Sequence, residues 1–390
     1  MSDTVIHLRT ETKPLEHRSA LTPTTAKKLI DAGYVIHVER NPVGSEIGHY
    51  STRTFEDSEF EAVGAEIKPL GSWKEVPKSH IVLGLKEIEE GTSSLGHVFC
   101  HFQHCYKQQG GWSEALSRYA RGQGTLLDLE FLQHENGRRV AAFGYHAGFA
   151  GAALAIENWA WQLTHPGEAF PSVESYPNEN LLIDDVKKAL SEGQSKAGRL
   201  PRVIVIGALG RCGSGAVDMC LRAGIPEENL LKWDIDETSD PKRSKPFVDI
   251  IESDIFVNCI YLNQPVGHFV NIDSLKEAEA RKNRKLSVVC DVSADTTNPH
   301  NPIPIYTIAT TFDKPTVPVE GLENPPLSVI SIDHLPSLLP RESSEAFSND
   351  LLPTLLGLKD WRNDPVLSRA EKLFQEKVAT LPAESLENKA

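Results

Sequence analysis

The sequence has few features of a secreted, membrane-spanning or nucleic-acid-binding protein. Only 6 cysteines occur in 390 residues, and none forms a Cys-x-x-Cys pair, which favours reduced thiols in a cytosolic protein over a disulfide-stabilised fold. Asp and Glu number 54 against 40 Lys and Arg, so the net charge is −14 with histidine neutral. Because an acidic surface repels phosphate backbones, we expect no nucleic-acid partner.

Long apolar runs are also scarce. The most apolar stretch, residues 147–163, contains Glu157 and Asn158, so it predicts a buried helix rather than a membrane span. The first ten residues, MSDTVIHLRT, do not have the pattern of a secretory signal, and residues 388–390 are not a peroxisomal Ser-Lys-Leu tripeptide. We therefore expect a cytoplasmic protein without membrane attachment.

What the sequence does contain is two successive α/β patterns. In the first third, strands are predicted at residues 5–8, 34–38, 81–85, 97–102 and 125–129. The polar segment 165–200 is expected at the surface. A second series of strands is predicted at residues 203–206, 230–233, 255–260, 287–291 and 328–332. Strands interleaved with helices predict an α/β protein with two Rossmann-like domains, mostly parallel sheets and a cleft between them.

A glycine-rich turn follows the first strand of the second pattern. The motif GALGRCGSG, residues 207–215, stands between this strand and a helical stretch, as expected of a pyrophosphate site at a helix N-terminus. Its spacing is G-x-x-G-x-x-G rather than the common G-x-G-x-x-G. Asp234 ends the next strand, where an acidic residue binds the adenine ribose and disfavours a 2′-phosphate, so the sequence favours NAD over NADP. The alternative is a glycine-rich turn without a ligand.

Two cysteines fall close to this motif. In a Rossmann-like sheet, the strand that ends near Cys259 neighbours the first strand, so Cys212 and Cys259 would both lie near the pyrophosphate. We hypothesise that oxidation joins them and blocks the cofactor. The alternative is two unrelated reduced thiols.

Charged residues follow two strands of the first pattern. Lys13 and Arg18 come after the first strand, where basic groups can hold a carboxylate, although a solvated charged loop is the simpler interpretation. Lys86 and Glu87 come after another apolar strand. Burial would lower the pKa of Lys86 and Glu87 would oppose that shift, which together could tune an acid/base; a surface ion pair is the alternative.

A histidine-rich segment ends a further strand. Residues 97–107, HVFCHFQHCYK, invite a zinc interpretation, but His97 and His101 share one face of a strand and His104 does not. Since we find no second group of ligands along the chain, we expect no metal and favour His104 for acid/base chemistry. Glu130 follows the next strand, and Arg138 and Arg139 suit a substrate with several carboxylates or a cofactor phosphate.

Together these motifs resemble the NAD-dependent, L-lysine-forming saccharopine dehydrogenases of fungi. The resemblance covers nearly the whole chain. In the first part it rests on ETKPLEHRSALTP, GLKE, HCYK, DLEFL and GRRVAAFG. In the second part it rests on AGFAGAALA, IGALGRCGSG, LKWDIDET, NCIYL, DVSADTTNPHNPIPIY and SIDHLPSLLPRE. The stretch between GLKE and HCYK looks shortened relative to that family, which leaves the loop between Glu87 and His97 undefined.

The resemblance implies a reaction, a cofactor and a set of site residues. Saccharopine, NAD⁺ and water would give L-lysine, 2-oxoglutarate and NADH, the last step of lysine biosynthesis by the α-aminoadipate route. Lys86 and His104 are implied as catalytic, in an order that stays open, with Glu87 and Glu130 modulating their charge. The implied substrate-binding residues are Arg18, Lys86, Gln109, Arg139, Phe143, Ser293, Ala294 and Asp295. The implied cofactor-binding residues are Arg138, Gly210, Arg211, Asp234, Thr238, Tyr261, Val292, Ile332, Asp333, His334 and Leu335.

The domain organisation expected from these patterns is discontinuous. Residues 1–142 with 340–390 would form a substrate-binding domain, and residues 143–339 a dinucleotide-binding domain. We expect a monomer acting on small molecules. The alternatives are an alanine dehydrogenase-like enzyme, which shares the superfamily, an inactive NAD-binding sensor or scaffold, and a zinc enzyme that uses the histidine-rich segment.

Overall fold

The computed structural model describes residues 4–262, 264–294, 296 and 298–387. The chain divides into two compact units, one made of Met1–Ala142 and Pro340–Ala390 and the other of Phe143–Leu339. Each unit is built on its own six-stranded sheet. The predicted α/β class with two mostly parallel, Rossmann-like sheets is therefore confirmed.

The first unit carries a fully parallel sheet in the order β3-β2-β1-β4-β5-β6. Its strands are β1 (Thr4–Leu8), β2 (Tyr34–Glu39), β3 (Glu66–Lys68), β4 (Ile81–Leu83), β5 (Val98–His101) and β6 (Thr125–Asp128). The strand order reverses beside β1, between β1 and β4. In such sheets ligands bind beyond the carboxyl ends of the strands at this reversal.

Among the described residues of the first unit, five α-helices accompany the sheet. They are α1 (Pro23–Asp31), α2 (Asp57–Glu61), α3 (Trp112–Gly122), α10 (Pro340–Leu356) and α11 (Pro365–Val378). Thr22 caps α1 through the amide of Thr25, and Pro23 occupies the first turn, where a missing N–H costs nothing. The hydroxyls of Thr25 and Ser348 lie 2.6 Å apart, so the returning C-terminal helix is held to α1 by buried polar contacts.

The second unit has the strand order β11-β12-β10-β9-β7-β8, in which only β11 is antiparallel to its neighbour. Its strands are β7 (Val203–Ile206), β8 (Leu230–Trp233), β9 (Ile255–Asn258), β10 (Val288–Asp291), β11 (Val317–Glu323) and β12 (Pro326–Ile330). Its helices are α4 (Gly144–Thr164), α5 (Glu179–Ala197), α6 (Arg211–Ala223), α7 (Ile235–Thr238), α8 (Val248–Ile251) and α9 (Ile272–Ala280). Fully buried strands such as β7 explain the continuous apolar runs of the sequence.

Helix α4 lies in the core of the second unit, as its composition predicts. Thirteen of its residues are buried, and two glycines bring it against α6. A Cβ on Gly148 would lie 1.8 Å from the carbonyl oxygen of Cys212, and one on Gly215 would lie 1.9 Å from that of Tyr145. The backbones of α4 and α6 therefore approach more closely than any side chain would allow.

Several local predictions were wrong. The segment 165–200 was expected at the surface, but α5 buries Leu182, Ile183, Val186 and Leu190 in the same core as α4. The predicted strand 255–260 ends at Asn258, and the predicted strand 328–332 is β12, Pro326–Ile330. Strands β3 and β11 were missed because they are edge strands with exposed, polar residues. In the described part of the chain, no helix has the length and apolarity to cross a membrane.

Candidate active site

The loop after β4 is held in place by two residues that follow β1. The buried carboxylate of Glu11 accepts hydrogen bonds from the amides of Leu85 (2.7 Å) and Lys86 (2.9 Å). The guanidinium of Arg9, which is also buried, donates to the carbonyl oxygen of Lys86. These contacts fix the backbone of Lys86, and sequence reasoning did not identify either residue.

Lys86 is half-buried beside an internal ion pair. Burial lowers the pKa of its ammonium group, the Arg18 guanidinium lowers it further, and Glu16 opposes the shift. Arg18 is only 4% exposed and donates to both carboxylate oxygens of Glu16, at 2.8 and 2.7 Å. The predicted carboxylate-binding arginine therefore already has a carboxylate partner within its own loop, which the sequence pattern did not reveal.

Glu87 connects the Lys86 loop to the predicted acid/base histidine. Its Oε2 lies 3.4 Å from Nζ of Lys13, and its Oε1 lies 3.6 Å from Nε2 of His104. Although burial opposes it, the Glu87 pKa is lowered by a backbone hydrogen bond and by Lys13, His104 and Lys86. Glu87 is therefore an anion that lies between the Lys13 ammonium group and the His104 ring.

His104 has a second carboxylate neighbour. Its Nδ1 lies 3.6 Å from Oε2 of Glu130, while its ring stacks on Phe102 with an interplanar angle of 11°. Glu130 also accepts from Lys107 at 2.7 Å and from Arg139 at 2.9 Å. The neighbouring His104 ring is the main reason that the Glu130 pKa falls to about 2, and Lys107 lowers it further although burial opposes the shift. The imidazole is thus bracketed by two carboxylates.

Buried polar groups that were not predicted from the sequence contact Glu130 and the Lys86 loop. Asp128, at the end of β6, accepts hydrogen bonds from the amides of Glu130 (2.9 Å) and Gln103 (3.1 Å), and burial raises its pKa to about 6. His101 lies 3.0 Å from the carbonyl oxygen of Lys86 and 2.9 Å from the Tyr119 hydroxyl, and burial lowers its pKa to about 3. His101 is thus a neutral support for the Lys86 loop.

The histidine-rich segment does not assemble as a metal site. His97 Nε2 lies 3.0 Å from the carbonyl oxygen of Val76, and His101 contacts the Lys86 carbonyl, so each ring is engaged with backbone. The thiols of Cys100 and Cys105 are buried, which raises the pKa of each to about 12. Neutral thiols and occupied imidazoles argue against the zinc alternative for this segment.

A cavity of about 1020 Å³ opens beside these groups in the first unit. Lys13, Glu87, His104 and Gln109 line it, so four of the residues singled out from the sequence share one space. Arg138 also belongs to the first unit but is exposed, and its amide donates to the side chain of Asn136. The structure joins Glu87, His104 and Glu130 through contacts, has Glu87 directly after Lys86, and places Lys13 and Gln109 beside the same cavity as Glu87 and His104.

The glycine motif of the second unit forms a tight turn between β7 and α6. Gly207 has a φ of +87°, and a Cβ on it would lie 2.5 Å from the Ile260 side chain. A Cβ on Gly213 would lie 2.0 Å from the carbonyl oxygen of Gly207. Gly210 caps α6 in an extended conformation, followed by Arg211. Glycine at these positions lets the turn pack closely against the start of α6, and the N-terminus of a helix after such a turn is where a pyrophosphate binds.

Asp234 lies where the sequence predicts the ribose-binding acid. It follows β8 and caps the short helix α7, accepting from the amide of Ile235 at 2.9 Å. Its other oxygen accepts from the amide of Leu209 at 3.0 Å, which ties it to the glycine turn. Thr238, also predicted for the cofactor, donates its hydroxyl to the Asp234 carbonyl at 2.8 Å. Each carboxylate oxygen keeps lone pairs for ribose hydroxyls.

Cys212 and Cys259 are neighbours at this turn. Both are free thiols, and a side-chain hydrogen bond joins them. Burial and the neighbouring Cys212 raise the pKa of the Cys259 thiol. The proximity expected from the sheet is present, whereas disulfide formation on oxidation stays a prediction.

The remaining predicted residues of the second unit differ in how far their side chains are exposed to solvent. Tyr261 is 64% exposed after β9, and Ser293 donates to Asp291 at 2.7 Å after β10. Ile332 and Leu335 are buried in the core, so only their backbone can face a ligand. The others are Phe143 at the start of α4, half-buried Val292, Ala294 with a φ of +48°, exposed Asp333 and half-buried His334. Asp295 lies outside the described residues.

Comparisons with known proteins bear on the fold and the family of the chain. The family description "Alanine dehydrogenase/PNT, N-terminal domain" matches residues 7–150. Solved structures of an L-alanine dehydrogenase (TM-score 0.64, 17% identity, 96% of this chain and 100% of that chain) and of a transhydrogenase from Sinorhizobium meliloti (TM-score 0.60, 16% identity, 94% and 97%) have a similar fold. At these identities the likeness concerns the fold alone.

Curated relatives are far more similar. A saccharopine dehydrogenase (NAD(+), L-lysine-forming) from Neurospora crassa is 64% identical over 388 residues, which is 99% of this chain and 100% of the relative. A protein of the same name from Yarrowia lipolytica is 57% identical over 374 residues, covering 96% and 97%. One from Schizosaccharomyces pombe is 55% identical over 377 residues, covering 96% and 98%. The chain therefore belongs to the family of NAD-dependent, L-lysine-forming saccharopine dehydrogenases, a family of oxidoreductases.

Proposed function

We propose that this chain converts saccharopine, NAD⁺ and water into L-lysine, 2-oxoglutarate and NADH with release of a proton. The observation that carries the proposal is a series of neighbouring titratable side chains in the first unit. Lys86 is followed by Glu87, Glu87 lies beside His104, and His104 lies beside Glu130. Oxidation of a secondary amine followed by hydrolysis needs a base for the amine and an acid/base for water. This series supplies both, in a chain that belongs to the saccharopine dehydrogenase family.

Lys86 is proposed to accept the proton of the substrate secondary amine. A lysine can act as a base only in its neutral form, and burial beside Arg18 lowers its pKa toward that form. Glu11 and Arg9 hold its backbone, so the side chain of Lys86 extends from a fixed point of the loop. Glu16 and Glu87 oppose this lowering of the Lys86 pKa. Lys86 can therefore hold the proton that it accepts and release it in the reverse reaction.

His104 is proposed to activate the water that adds to the imine, and then to assist collapse of the carbinolamine. Its two ring nitrogens lie near Glu87 and Glu130, so a proton gained on either nitrogen is stabilised by a carboxylate. Its side chain is 42% exposed beside the cavity, which gives water access to it. The assignment of Lys86 to the amine and His104 to the hydrolysis is part of the proposal.

The second unit is proposed to hold NAD⁺, and its residues fit that group. Only glycine is accommodated at Gly213, where any Cβ would meet the Gly207 carbonyl, so α6 begins directly at the turn, and its N-terminus is the proposed pyrophosphate site. The Asp234 carboxylate can accept from ribose hydroxyls and would repel a 2′-phosphate, which supports NAD over NADP. When bound, the nicotinamide supplies the hydride acceptor.

The substrate carboxylates are proposed to lie among basic and amide groups of the first unit. Arg18, Gln109 and Arg139 are the proposed contacts in this unit, and a contribution of Phe143, Ser293 and Ala294 stays a prediction. Arg139 is paired with Glu130, so binding of a substrate carboxylate would compete with, or share, that interaction. Hydride transfer in a cleft between the units stays a prediction.

The test is an absorbance assay at the NADH band. Lysine, 2-oxoglutarate and NADH should be consumed together, and saccharopine with NAD⁺ should produce NADH. NADPH should replace NADH poorly, because the Asp234 carboxylate would repel a 2′-phosphate. Pyruvate with ammonia tests the alanine dehydrogenase alternative. Turnover of that pair, or no turnover of any pair despite NADH binding, would reject the proposal in favour of an alanine dehydrogenase or an inactive NAD-binding protein.

A further inference from the structure

Three histidines from separate parts of the chain meet on the sheet of the first unit. His7 in β1 and His37 in β2 are register partners, and His80 directly precedes β4, where Ile81 pairs with Ile6. Since side chains alternate along a strand, all three fall on one face of the sheet. One ring nitrogen from each lies within 4.8 Å of the other two.

The rings are arranged around His37. Its centroid lies 5.8 Å from that of His7 and 5.4 Å from that of His80, both in edge-to-face orientation. His7 is completely buried, and the other two are half-buried. One side of the cluster is thus enclosed by the sheet while the other remains accessible to solvent.

A buried carboxylate determines which nitrogen of His7 is available. Nε2 lies 3.3 Å from Oε1 of Glu39, so it carries the proton and donates it. Glu39 is itself fixed by the amides of Thr10 (3.0 Å) and Trp73 (2.8 Å). Nδ1 of His7 then has a lone pair, and within the described residues this buried atom has no hydrogen-bond partner. Metal-ligating histidines commonly donate one ring N–H to a carboxylate and bind the metal through the other ring nitrogen, which is the arrangement of His7 and Glu39.

His80 also has a buried ring nitrogen without a hydrogen-bond partner in the described part of the chain. This atom is Nδ1, as in His7. An unsatisfied buried nitrogen costs free energy unless a ligand or an ion completes it. Burial lowers the pKa of His37 to about 4, and burial with His7 lowers the pKa of His80, so these rings are neutral at pH 7, as metal ligands must be.

We propose that His7, His37 and His80 form a binding site for one divalent transition-metal ion of the zinc class, with solvent in the remaining position. Imidazole nitrogens suit zinc, and in a tetrahedral site they lie about 3.4 Å from one another. Nitrogens within 4.8 Å therefore need to close by at most about 1.4 Å, which small ring rotations can supply.

The site is separate from the proposed chemistry. None of its three histidines contacts Lys86, Glu87, His104 or Glu130 through a described hydrogen bond or ion pair. Our expectation of no metal came from spacing along the chain, which does not reveal ligands from three distant segments. An ion here would link β1, β2 and the start of β4, so its effect would be on the stability of the sheet.

The experiment measures zinc binding by the purified full chain in competition with a chromophoric chelator, after removal of metal. We expect one zinc per chain with low micromolar affinity or better. Binding should weaken at least 30-fold in His80→Asn and in His37→Asn. Two controls should bind as the parent does: His134→Asn, in an exposed turn, and His104→Gln, in the proposed active site. Half-buried His37 and His80 are chosen because replacing fully buried His7 could unfold the chain.

A second readout separates the site from nonspecific binding. Saturating zinc should raise the melting temperature of the parent and of both controls by several degrees, and should leave both cluster variants unchanged. Less than one equivalent bound by the parent, equal binding by His80→Asn and His37→Asn, or loss of binding in His104→Gln would each overturn the proposal. The saccharopine assay is independent of all these measurements, so the proposed function and this site can fail separately.

Discussion

The two units have similar, mostly parallel sheets but differ in the residues that follow the carboxyl ends of the strands. In the first unit, these ends carry charged side chains, such as Glu11 after β1 and Lys86 after β4, joined by hydrogen bonds and ion pairs. In the second unit, β7 is followed by glycines and β8 by Asp234, which binds the glycine turn, while Asp291 at the end of β10 is buried and bonded to Asn258 and Tyr306. One unit thus offers titratable side chains and the other offers backbone, which are the needs of proton transfer and of anion binding respectively.

The comparison predicts its largest effect at Lys86. Replacing it by Met keeps the length of the side chain and removes the only group proposed to take the amine proton. We expect the rate of saccharopine oxidation to fall by about 10³-fold, within the range of lost general-base catalysis. NADH affinity should stay within about twofold, because the cofactor is assigned to the other unit.

A matched control for this variant is Lys27→Met. Lys27 is an exposed lysine of α1 in the same unit, paired with Asp31. Its replacement should leave oxidation unchanged, because surface ion pairs contribute little. Unchanged oxidation in Lys86→Met would remove Lys86 from the mechanism, and a large loss of NADH affinity would contradict the division of labour between the units.

The next effect is expected in the glycine turn. In Gly213→Ala, the new methyl group would lie 2.0 Å from the Gly207 carbonyl oxygen, so the turn or the start of α6 must shift. NADH affinity, measured by fluorescence titration, should fall by about 30- to 100-fold, or roughly 2–3 kcal/mol.

Gly210→Ala is the matched control for this change. A Cβ at Gly210 would have its nearest contact at 3.3 Å, and its φ of −77° suits alanine. Its loss of affinity should be clearly smaller than that of Gly213→Ala. Equal losses in the two variants would mean that side-chain exclusion along the whole turn, and not the close approach at Gly213, governs binding.

These two sites also show how far the sequence alone could lead. The strand series and the glycine turn were readable because both depend on local patterns: apolar runs for buried strands, and glycine where the backbone turns sharply. Lys86 and His104 could be singled out because each follows a strand. Their supports could not, because Glu11 bonds to the Lys86 loop and Asp128 to the amide of Gln103 across long stretches of sequence, and nothing in the pattern separates the Glu16–Arg18 pair from a solvated charged loop.

The same limit explains the errors. Helix α5 has a polar composition, yet four of its apolar residues at helical spacing pack into the core, so the average of the segment concealed its buried face. Strand β11 pairs antiparallel at the sheet edge with an irregular register, and its alternating exposure resembles a loop. The three-histidine cluster escaped because parallel pairing, not sequence proximity, brings its members together.

A smaller effect is expected at Asp234, the one carboxylate of the second unit's turn. Asp234→Asn removes the negative charge and keeps an oxygen that can accept from the Ile235 amide. The ratio of kcat/KM for NADH to that for NADPH should fall by about tenfold, mostly through better use of NADPH. Asp236→Asn, an exposed neighbour in α7, should leave the ratio unchanged. An unchanged ratio in Asp234→Asn would show that this carboxylate only closes the turn.

The smallest effect is a shift in pH dependence at Glu87. Saccharopine oxidation needs neutral Lys86, so its rate falls as the pH drops through the Lys86 pKa, which burial and Arg18 have lowered and Glu87 partly restores. Glu87→Gln removes a nearby negative charge that favours the ammonium form, so the pKa falls further. The acidic limb of the kcat/KM profile should therefore move to lower pH, by about half a unit.

Glu135→Gln, at an exposed position of the same unit, controls for the change in net charge. A shift to higher pH, or an equal shift in both variants, would mean that Lys86 is not the group that titrates on this limb, and the contrast between a unit of titratable side chains and a unit of backbone donors would lose its main support.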